Sequence, residues 1–269
     1  MRALLLTLVA LLLLAAPTDA LPVPRESDGV GPGSKLLIHL DGQFRTACTA
    51  AWVWSEGDRL LLGTAGHCVL PEDATMTHGP RPDFDPARVH VLVCVDDCEW
   101  GGYTGIVLLR GRAEPLGPLV YARQGGQGLD FALLEIPPAL HALVRPGMTT
   151  FGTPTYVQEV QQGNLVCVQG RSVGVGESHA GQSRAGVGLG STSERWWAAY
   201  PGAYGDSGAA IATCKATPQG LRAVGASGIV TQLSPYLDRP GLAGTTMARA
   251  AELARDAGLD IQPLLGTGA

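Results

Sequence analysis

The sequence predicts an all-β fold of two tandem six-stranded antiparallel β-barrels with one short C-terminal helix. Glycine (37 residues) and proline (19 residues) are abundant and long helical patterns are scarce, which is typical of short strands joined by many turns. Apolar or alternating runs of strand length also fall into two successive groups, as two barrels require. The first group is 35–40, 51–54, 60–65, 89–95, 105–109 and 131–136, and the second is 165–168, 172–175, 209–213, 223–226 and 229–231.

Individual elements support this division. Valine recurs at every second position of 89–95, as a strand with one regular face requires. Pro137 and Pro138 end the first group, so we place an N-terminal barrel at residues 35–138 and a C-terminal barrel with the terminal helix at 139–269. The helical pattern covers 247–257, after a threonine cap and before Gly258.

Residues 1–20 have the pattern of a signal peptide. Arg2 precedes an apolar run over 3–16, and small residues occupy the positions that signal peptidase reads before a cut after about Ala20. The run is short for a membrane span, so cleavage is favoured over a retained anchor. We therefore expect a secreted protein without membrane association after cleavage, in which residues 21–34 form an irregular leader or short propeptide.

Charge and cysteine content narrow the function further. The net charge is −5 and no basic cluster is visible, which argues against a nucleic-acid partner. Six cysteines in an exported chain predict three disulfides. The alternative for Cys94 and Cys98 is a zinc site with His90. The cysteines are Cys48, Cys68, Cys94, Cys98, Cys167 and Cys214.

Three motifs carry candidate chemistry, in the order His, Asp, Ser. An apolar strand pattern ends at His67 beside Cys68, Asp130 begins another strand pattern, and Ser207 lies in the glycine-flanked turn 205–208. A serine hydroxyl needs a neighbouring base to become a nucleophile at neutral pH, and histidine titrates in that range. A carboxylate on the far ring nitrogen fixes the tautomer of the imidazole and stabilises its protonated form.

The motifs Thr-Ala-Gly-His-Cys, Asp-Phe-Ala-Leu-Leu and Gly-Asp-Ser-Gly resemble those of the chymotrypsin family of serine proteases, in particular its secreted bacterial branch with streptogrisin and α-lytic protease. The resemblance covers residues 35–260 and implies a trypsin-like fold with the site between the barrels. It also implies a serine endopeptidase with a polypeptide substrate and no cofactor or metal. The nucleophile would be Ser207, the general base His67 and the orienting acid Asp130, with the N–H groups of Gly205 and Ser207 as the oxyanion hole.

The resemblance also implies disulfide pairings. It pairs Cys48 with Cys68, which would hold the loop of the general base, and Cys167 with Cys214. Cys94 and Cys98 would then close a small loop, for which the family offers no parallel. Closing the loop between Cys48 and Cys68 stabilises a protein by about 3 kcal/mol in the chain-entropy model.

Substrate specificity is predicted less directly. Counting back six residues from Ser207 gives Pro201, where trypsin-like enzymes hold an aspartate, so no preference for Lys or Arg is indicated. We expect Ser227, Gly228 and Ile229 to form the next wall of the pocket. Ile229 would narrow it, which favours a small or apolar side chain before the scissile bond.

Two departures from the family pattern affect activation and activity. The start Ile-Val-Gly-Gly is not visible, so we do not expect a freed N-terminus to pair with Asp206. An internal arginine beside Asp206 would take its place, with Arg171 as the candidate. Ala209 and Ala210 follow the nucleophile turn where the family has Gly-Pro or Gly-Ser. With Ile229, they keep open the alternative of a catalytically silent trypsin-fold binding protein. An α/β-hydrolase is excluded, because it needs the order Ser, Asp, His. We expect a monomer.

Overall fold

A computed structural model describes residues 29–79, 81–101, 107–171, 183–234 and 241–267. The predicted signal peptide, residues 21–28 of the leader and the predicted strand at 172–175 lie outside the described residues. The strands are β1 Lys35–Leu40, β2 Gln43–Thr49, β3 Val53–Glu56, β4 Arg59–Thr64, β5 Val89–Gly101, β6 Val107–Pro115, β7 Leu119–Arg123, β8 Phe131–Ile136, β9 Tyr156–Val157, β10 Leu165–Gln169, β11 Ser183–Ser191, β12 Arg195–Ala199, β13 Ala210–Thr217, β14 Gly220–Ser234, β15 Gly241–Thr246 and β16 Gln262–Pro263.

The second barrel is a closed antiparallel ring. Its strands pair in the order β13–β10–β11–β12–β15–β14, and β14 pairs with β13 to close the ring. The short strand β9 lies outside it, parallel to β14. Each ring strand therefore pairs with the next one on both sides in the described part of the chain, which closes the barrel.

The first barrel is a ring of six extended segments, two of which pass from one sheet into the other. One sheet has the order β2–β1–β5–β6 and the other β16–β3–β4–β8–β7. Only a few residues separate β2 from β3 and β6 from β7, so these pairs join the sheets. The hairpin between β1 and β2 turns at Asp41 and Gly42, both with positive φ, as a two-residue loop of this twist requires. The predicted fold of two six-stranded antiparallel barrels is confirmed.

The predicted C-terminal helix is also confirmed, at Met247–Asp256. Thr246 accepts a hydrogen bond from the N–H of Arg249 through its side chain and so caps the first turn. Met247, Ala250, Leu253 and Ala254 form its buried face. No helix within the described ranges is long and apolar enough to cross a membrane.

Apolar packing holds the two barrels together and so positions the cleft between them. Each barrel has its own core, and another buried cluster joins strands of the first barrel to strands of the second and to the C-terminal helix. In this cluster Trp52 and Phe131 of the first barrel pack with Ile229 and Met247 of the second part of the chain. The strand β16 near the C-terminus pairs with β3, so the end of the chain returns to the first barrel. The domain limits at 35–138 and 139–269 stay a prediction.

Candidate active site

A cavity of about 950 Å³ lies between the two barrels, with His67 and Ser207 in its wall. The first barrel contributes residues 44–48 of β2, His67, Glu72 and Gln124 to the lining. The second contributes residues 203–207, residues 230–232 and Leu242. The cleft thus brings together two of the three predicted catalytic side chains, and the third lies directly behind His67.

His67 and Asp130 form a two-point contact. His67 lies in a one-turn helix, Gly66–Val69, that follows β4, and Asp130 immediately precedes β8. The Asp130 carboxylate accepts the backbone N–H of His67 at 3.0 Å through Oδ1 and contacts ring Nδ1 at 2.7 Å through Oδ2. Its side chain is only 9% exposed. The ring is therefore oriented with Nδ1 toward the acid, which leaves Nε2 as the nitrogen available for proton transfer.

Glycine is required beside this histidine. A Cβ at Gly66 would collide with the carbonyl of Arg123, which is the last residue of β7. The close approach lets the helix with His67 lie against the strand pair β7–β8, at whose end Asp130 stands. The glycine of the His motif therefore has a packing role in placing His67 next to Asp130.

The pKa of His67 reflects opposing influences. Burial lowers it, but the hydrogen bond and the charge of Asp130 outweigh burial and raise the pKa of His67 above its ordinary value of 6.5. The positive charge of Arg45, which also lines the cavity, acts in the opposite direction and lowers the pKa of His67. The contact with Asp130 therefore favours the protonated form of the imidazole.

Ser207 lies in a turn that is bonded on several sides. Gly205 and Gly208 have φ of 97° and 87°, in the region that favours glycine. The carbonyl of Ser207 accepts the N–H of Thr49 at 2.8 Å, and the N–H of Gly208 donates to the carbonyl of Val230 at 2.7 Å. A Cβ at Gly208 would collide with the carbonyl of Thr49. The Gly-Asp-Ser-Gly motif therefore meets a steric requirement of the barrel contact.

Two backbone donors of this turn have no protein acceptor among the described residues. Within the described ranges, the N–H groups of Gly205 and Ser207 make no intramolecular hydrogen bond. In the same part of the chain, no hydrogen bond joins the Ser207 hydroxyl to the His67 ring, although both line the cavity.

Asp206, between the two donors, is paired with a buried arginine. The guanidinium of Arg184 on β11 forms an ion pair with the Asp206 carboxylate, and the side chains are 7% and 1% exposed. Asp206 also accepts the N–H of Ala203 at 2.9 Å. The predicted internal arginine is therefore Arg184 and not Arg171, whose Nε instead donates to the carbonyl of Gly33 at 2.6 Å.

The remaining neighbours of this ion pair leave little space. A Cβ at Gly170 would collide with both the Asp206 carboxylate and the Arg184 guanidinium. The Tyr200 hydroxyl lies in the same buried region, where burial first and the charge of Asp206 second raise its pKa well above 10. The buried side of the Ser207 turn is thus a packed polar core.

The predicted pocket residues are not among those that line the cavity. Ser227 and Ile229 are buried at 2% and 0% exposure, and Gly228 approaches the carbonyl of Thr245 so closely that a Cβ would collide with it. Pro201 is exposed and is not among the residues that line the cavity, although its carbonyl accepts a hydrogen bond from Arg184 at 3.2 Å. Their predicted contact with substrate stays untested.

The cavity wall comes from the next part of the same strand. Val230, Thr231 and Gln232 of β14 line it, together with Leu242 of β15. The pairing of β14 with β15 shifts between Val230 and Gln232, so the spacing of the motif does not reveal which residues face the cleft. A Cβ at Gly202 would collide with the Leu242 side chain, which shows that Leu242 fills the space beside Gly202.

Three disulfides join the cysteines in the predicted pairs, Cys48–Cys68, Cys94–Cys98 and Cys167–Cys214. The first ties β2 to the helix that carries His67. The second lies within β5 and joins Cys94 to Cys98, so the two sulfur atoms that the alternative zinc site would use are bonded to each other. The third connects β10 with β13 inside the second barrel.

Comparisons with solved structures find serine proteases of low sequence identity. Thermobifida fusca protease A matches with 15% identity over 88% of this chain and 100% of its own, at a TM-score of 0.48. The serine protease AL20 from an extremophilic microorganism matches with 14% identity over 84% and 95%, at 0.48, and Cellulomonas bogoriensis chymotrypsin with 14% over 88% and 100%, at 0.47.

No family model and no curated protein matches the chain. The fold is therefore assigned from the chain's own strand pairings, which form two antiparallel barrels with the candidate active site in the cleft between them.

Proposed function

We propose that this chain is a secreted serine endopeptidase that hydrolyses peptide bonds through an acyl-enzyme. Ser207 is the nucleophile, His67 the general base and Asp130 the residue that orients the base. The observation that carries the proposal is the two-point contact of the Asp130 carboxylate with His67, at 3.0 and 2.7 Å, in a cleft that Ser207 also lines. Both His67 and Ser207 line this cavity, which is the arrangement that nucleophilic catalysis requires.

The first half of the reaction forms the acyl-enzyme. The Ser207 oxygen attacks the substrate carbonyl while Nε2 of His67 takes the hydroxyl proton. The imidazolium is stabilised by Asp130 through Nδ1, and it then gives the proton to the leaving amine as the C–N bond breaks. In the second half, water attacks the ester and loses its proton to Nε2, and Ser207 leaves with that proton.

The two unpartnered N–H groups support an oxyanion hole. Both tetrahedral intermediates carry a negative oxygen that needs donors aimed at it. The N–H groups of Gly205 and Ser207 fit this role because they lie at the cavity wall without a protein acceptor among the described residues. Loss of one such donor lowers turnover by about 10²–10³ in other enzymes.

The cavity wall favours a small apolar side chain before the scissile bond. Ala203, Val230 and Leu242 provide an apolar surface near Ser207, and Leu242 occupies the space beside Gly202 that a larger substrate side chain would need. In this proposal the substrate contacts come from Thr231 and Gln232 of the exposed end of β14. The buried residues Ser227 to Ile229 then support this wall from behind.

The remaining parts of the proposal concern setting and partners. Three disulfides support an oxidising compartment and hence secretion. Ser207, His67 and water carry every proton of the cycle, so the reaction needs no cofactor. Both halves of the site come from one chain, which is consistent with a monomer acting on a polypeptide substrate.

Labelling with a fluorophosphonate probe tests the proposal. The secreted protein should be labelled at Ser207, and Ser207→Ala should abolish both labelling and peptide hydrolysis while the thermal unfolding temperature stays close to that of the unsubstituted protein. A folded protein that is neither labelled nor active would instead identify a catalytically silent binding protein.

A further inference from the structure

The side chain of Thr49, the last residue of β2, reaches from the first barrel to the Ser207 turn of the second. Thr49 is completely buried. Its hydroxyl donates to the carbonyl of Gly205 at 2.7 Å and accepts the N–H of Arg171 at 3.0 Å. Its own N–H donates to the carbonyl of Ser207 at 2.8 Å, and its carbonyl accepts the Thr64 hydroxyl at 2.9 Å. Every polar group of Thr49 is therefore used, and two of them hold the turn.

These contacts fix the orientation of two peptide planes. The carbonyl of Gly205 is held by the Thr49 hydroxyl, while the other end of that peptide, the N–H of Asp206, donates to the carbonyl of Ala203 at 3.2 Å. The carbonyl of Ser207 is held by the N–H of Thr49, while the N–H of Gly208 donates to Val230. The N–H of Ser207 belongs to the peptide between these two along the chain, and the N–H of Gly205 belongs to the peptide just before them.

Gly205 is the point where such support matters. Its φ of 97° lies where glycine is nearly free to rotate, so the residue itself does little to fix its peptide groups. A buried hydrogen bond to its carbonyl opposes rotation of the peptide that follows. If that peptide rotates, the donors of Gly205 and Ser207 no longer converge on one point of the cavity.

We propose that the Thr49 hydroxyl is a positioning group for the oxyanion-binding turn. It holds the Gly205 carbonyl and thereby keeps the N–H groups of Gly205 and Ser207 aimed at the reacting carbonyl oxygen. The inference rests on the proposed peptidase function. It assigns to Thr49 an effect on the transition state that acts through Gly205, without contact with substrate.

The test compares Thr49→Val with Thr49→Ser. Valine has nearly the shape of threonine but lacks the hydroxyl, so it leaves the Gly205 carbonyl and the Arg171 N–H unpaired. Serine keeps the hydroxyl. A matched control is Thr213→Val, because Thr213 is 3% exposed and its hydroxyl donates to Gln158 at 2.6 Å, away from the cleft.

The first measurements are kcat and KM on a p-nitroanilide peptide with alanine before the scissile bond, with kcat expressed per active site titrated by the fluorophosphonate. The second is Ki for the matching peptide boronic acid, which mimics the tetrahedral intermediate. For Thr49→Val we expect kcat to fall by about ten- to a hundredfold, less than for a lost donor. KM should change less than threefold, and boronate affinity should fall in parallel with kcat. Thr49→Ser should recover most of both, and Thr213→Val should keep the original kcat.

Each other result overturns a defined part of the reasoning. If Thr49→Val keeps kcat within twofold of Thr213→Val, or if Thr49→Ser falls as far as Thr49→Val, Thr49 only supports the fold. If the unsubstituted, folded protein is not labelled by the fluorophosphonate, the peptidase function fails first. The labelling step therefore separates failure of the positioning role from failure of the function.

Discussion

The buried ion pair beneath the nucleophile turn gives the most quantitative expectation. In Arg184→Met the Asp206 carboxylate, which is 1% exposed, loses its ion pair and keeps only the N–H of Ala203 as a hydrogen-bond donor in the described part of the chain. An uncompensated buried charge of this kind destabilises a protein by about 3–5 kcal/mol. The lost hydrogen bond from Arg184 to the Pro201 carbonyl adds about 1 kcal/mol. Peptidase activity should fall with stability, since Asp206 lies between the two oxyanion donors.

Urea unfolding followed by tryptophan fluorescence measures this loss. With an m value of about 3 kcal/mol per M, the midpoint should fall by about 1–2 M. Arg184→Met combined with Asp206→Asn removes both charges and keeps an acceptor for Ala203, so the double variant should be more stable than either single variant. If the two single losses simply add in the double variant, or if Arg184→Met costs under 1 kcal/mol, the buried pair does not support the turn as argued.

The other expectations concern the pH profile and specificity. Burial lowers the pKa of His67 but Asp130 raises it above 6.5, so activity should be lost as the pH falls through that raised pKa. Asp130→Asn should move this acidic limb of the pH–activity profile to lower pH and reduce kcat by about 10⁴-fold. An unchanged limb would contradict the role of Asp130. Arg45→Gln removes a charge that lowers the same pKa, so its limb should move to higher pH, and a shift to lower pH would refute the assignment. Leu242→Ala should extend cleavage of a peptide library to larger apolar residues before the scissile bond. The control Gln219→Ala, on the loop between β13 and β14, should leave this preference unchanged. An unaltered preference in Leu242→Ala would exclude Leu242 from the pocket.

Local patterns predicted some of the strands that are buried on one or both faces, but not β7, β12 or β15. The limits 35–40 and 131–136 agree with β1 and β8, and the helix agrees to within one residue. Patterns at 223–226 and 229–231 are parts of one long strand, β14, because its bulges interrupt the alternation of side chains. The glycine-rich strand β11 was not predicted, since it has few large apolar side chains to mark a buried face.

The residues of the candidate site were likewise predicted where a local motif marks them and missed where strand pairing brings them to the site. His67, Asp130 and Ser207 stand in short motifs whose chemistry can be read locally, and the structure brings His67 next to Asp130. Arg184 could not be chosen over Arg171 from the sequence, because which arginine reaches Asp206 depends on the register of β10 with β11. Leu242 lies 35 residues along the chain from Ser207, and the pairing of β15 with β14 brings it to the cleft.

The contacts between barrels explain why these distant residues decide the geometry of the site. The Ser207 turn belongs to the second barrel but is held by Thr49 of the first. Asp130 precedes a strand of the first barrel, yet its carbonyl accepts the hydroxyl of Thr245 from the second at 2.8 Å. Each side of the proposed triad is thus supported by a threonine from the opposite barrel, in addition to the shared apolar cluster. Because these bonds form only when the barrels are packed together, neither barrel alone holds the catalytic geometry, and damage to the packing between them should reduce turnover before it unfolds either barrel.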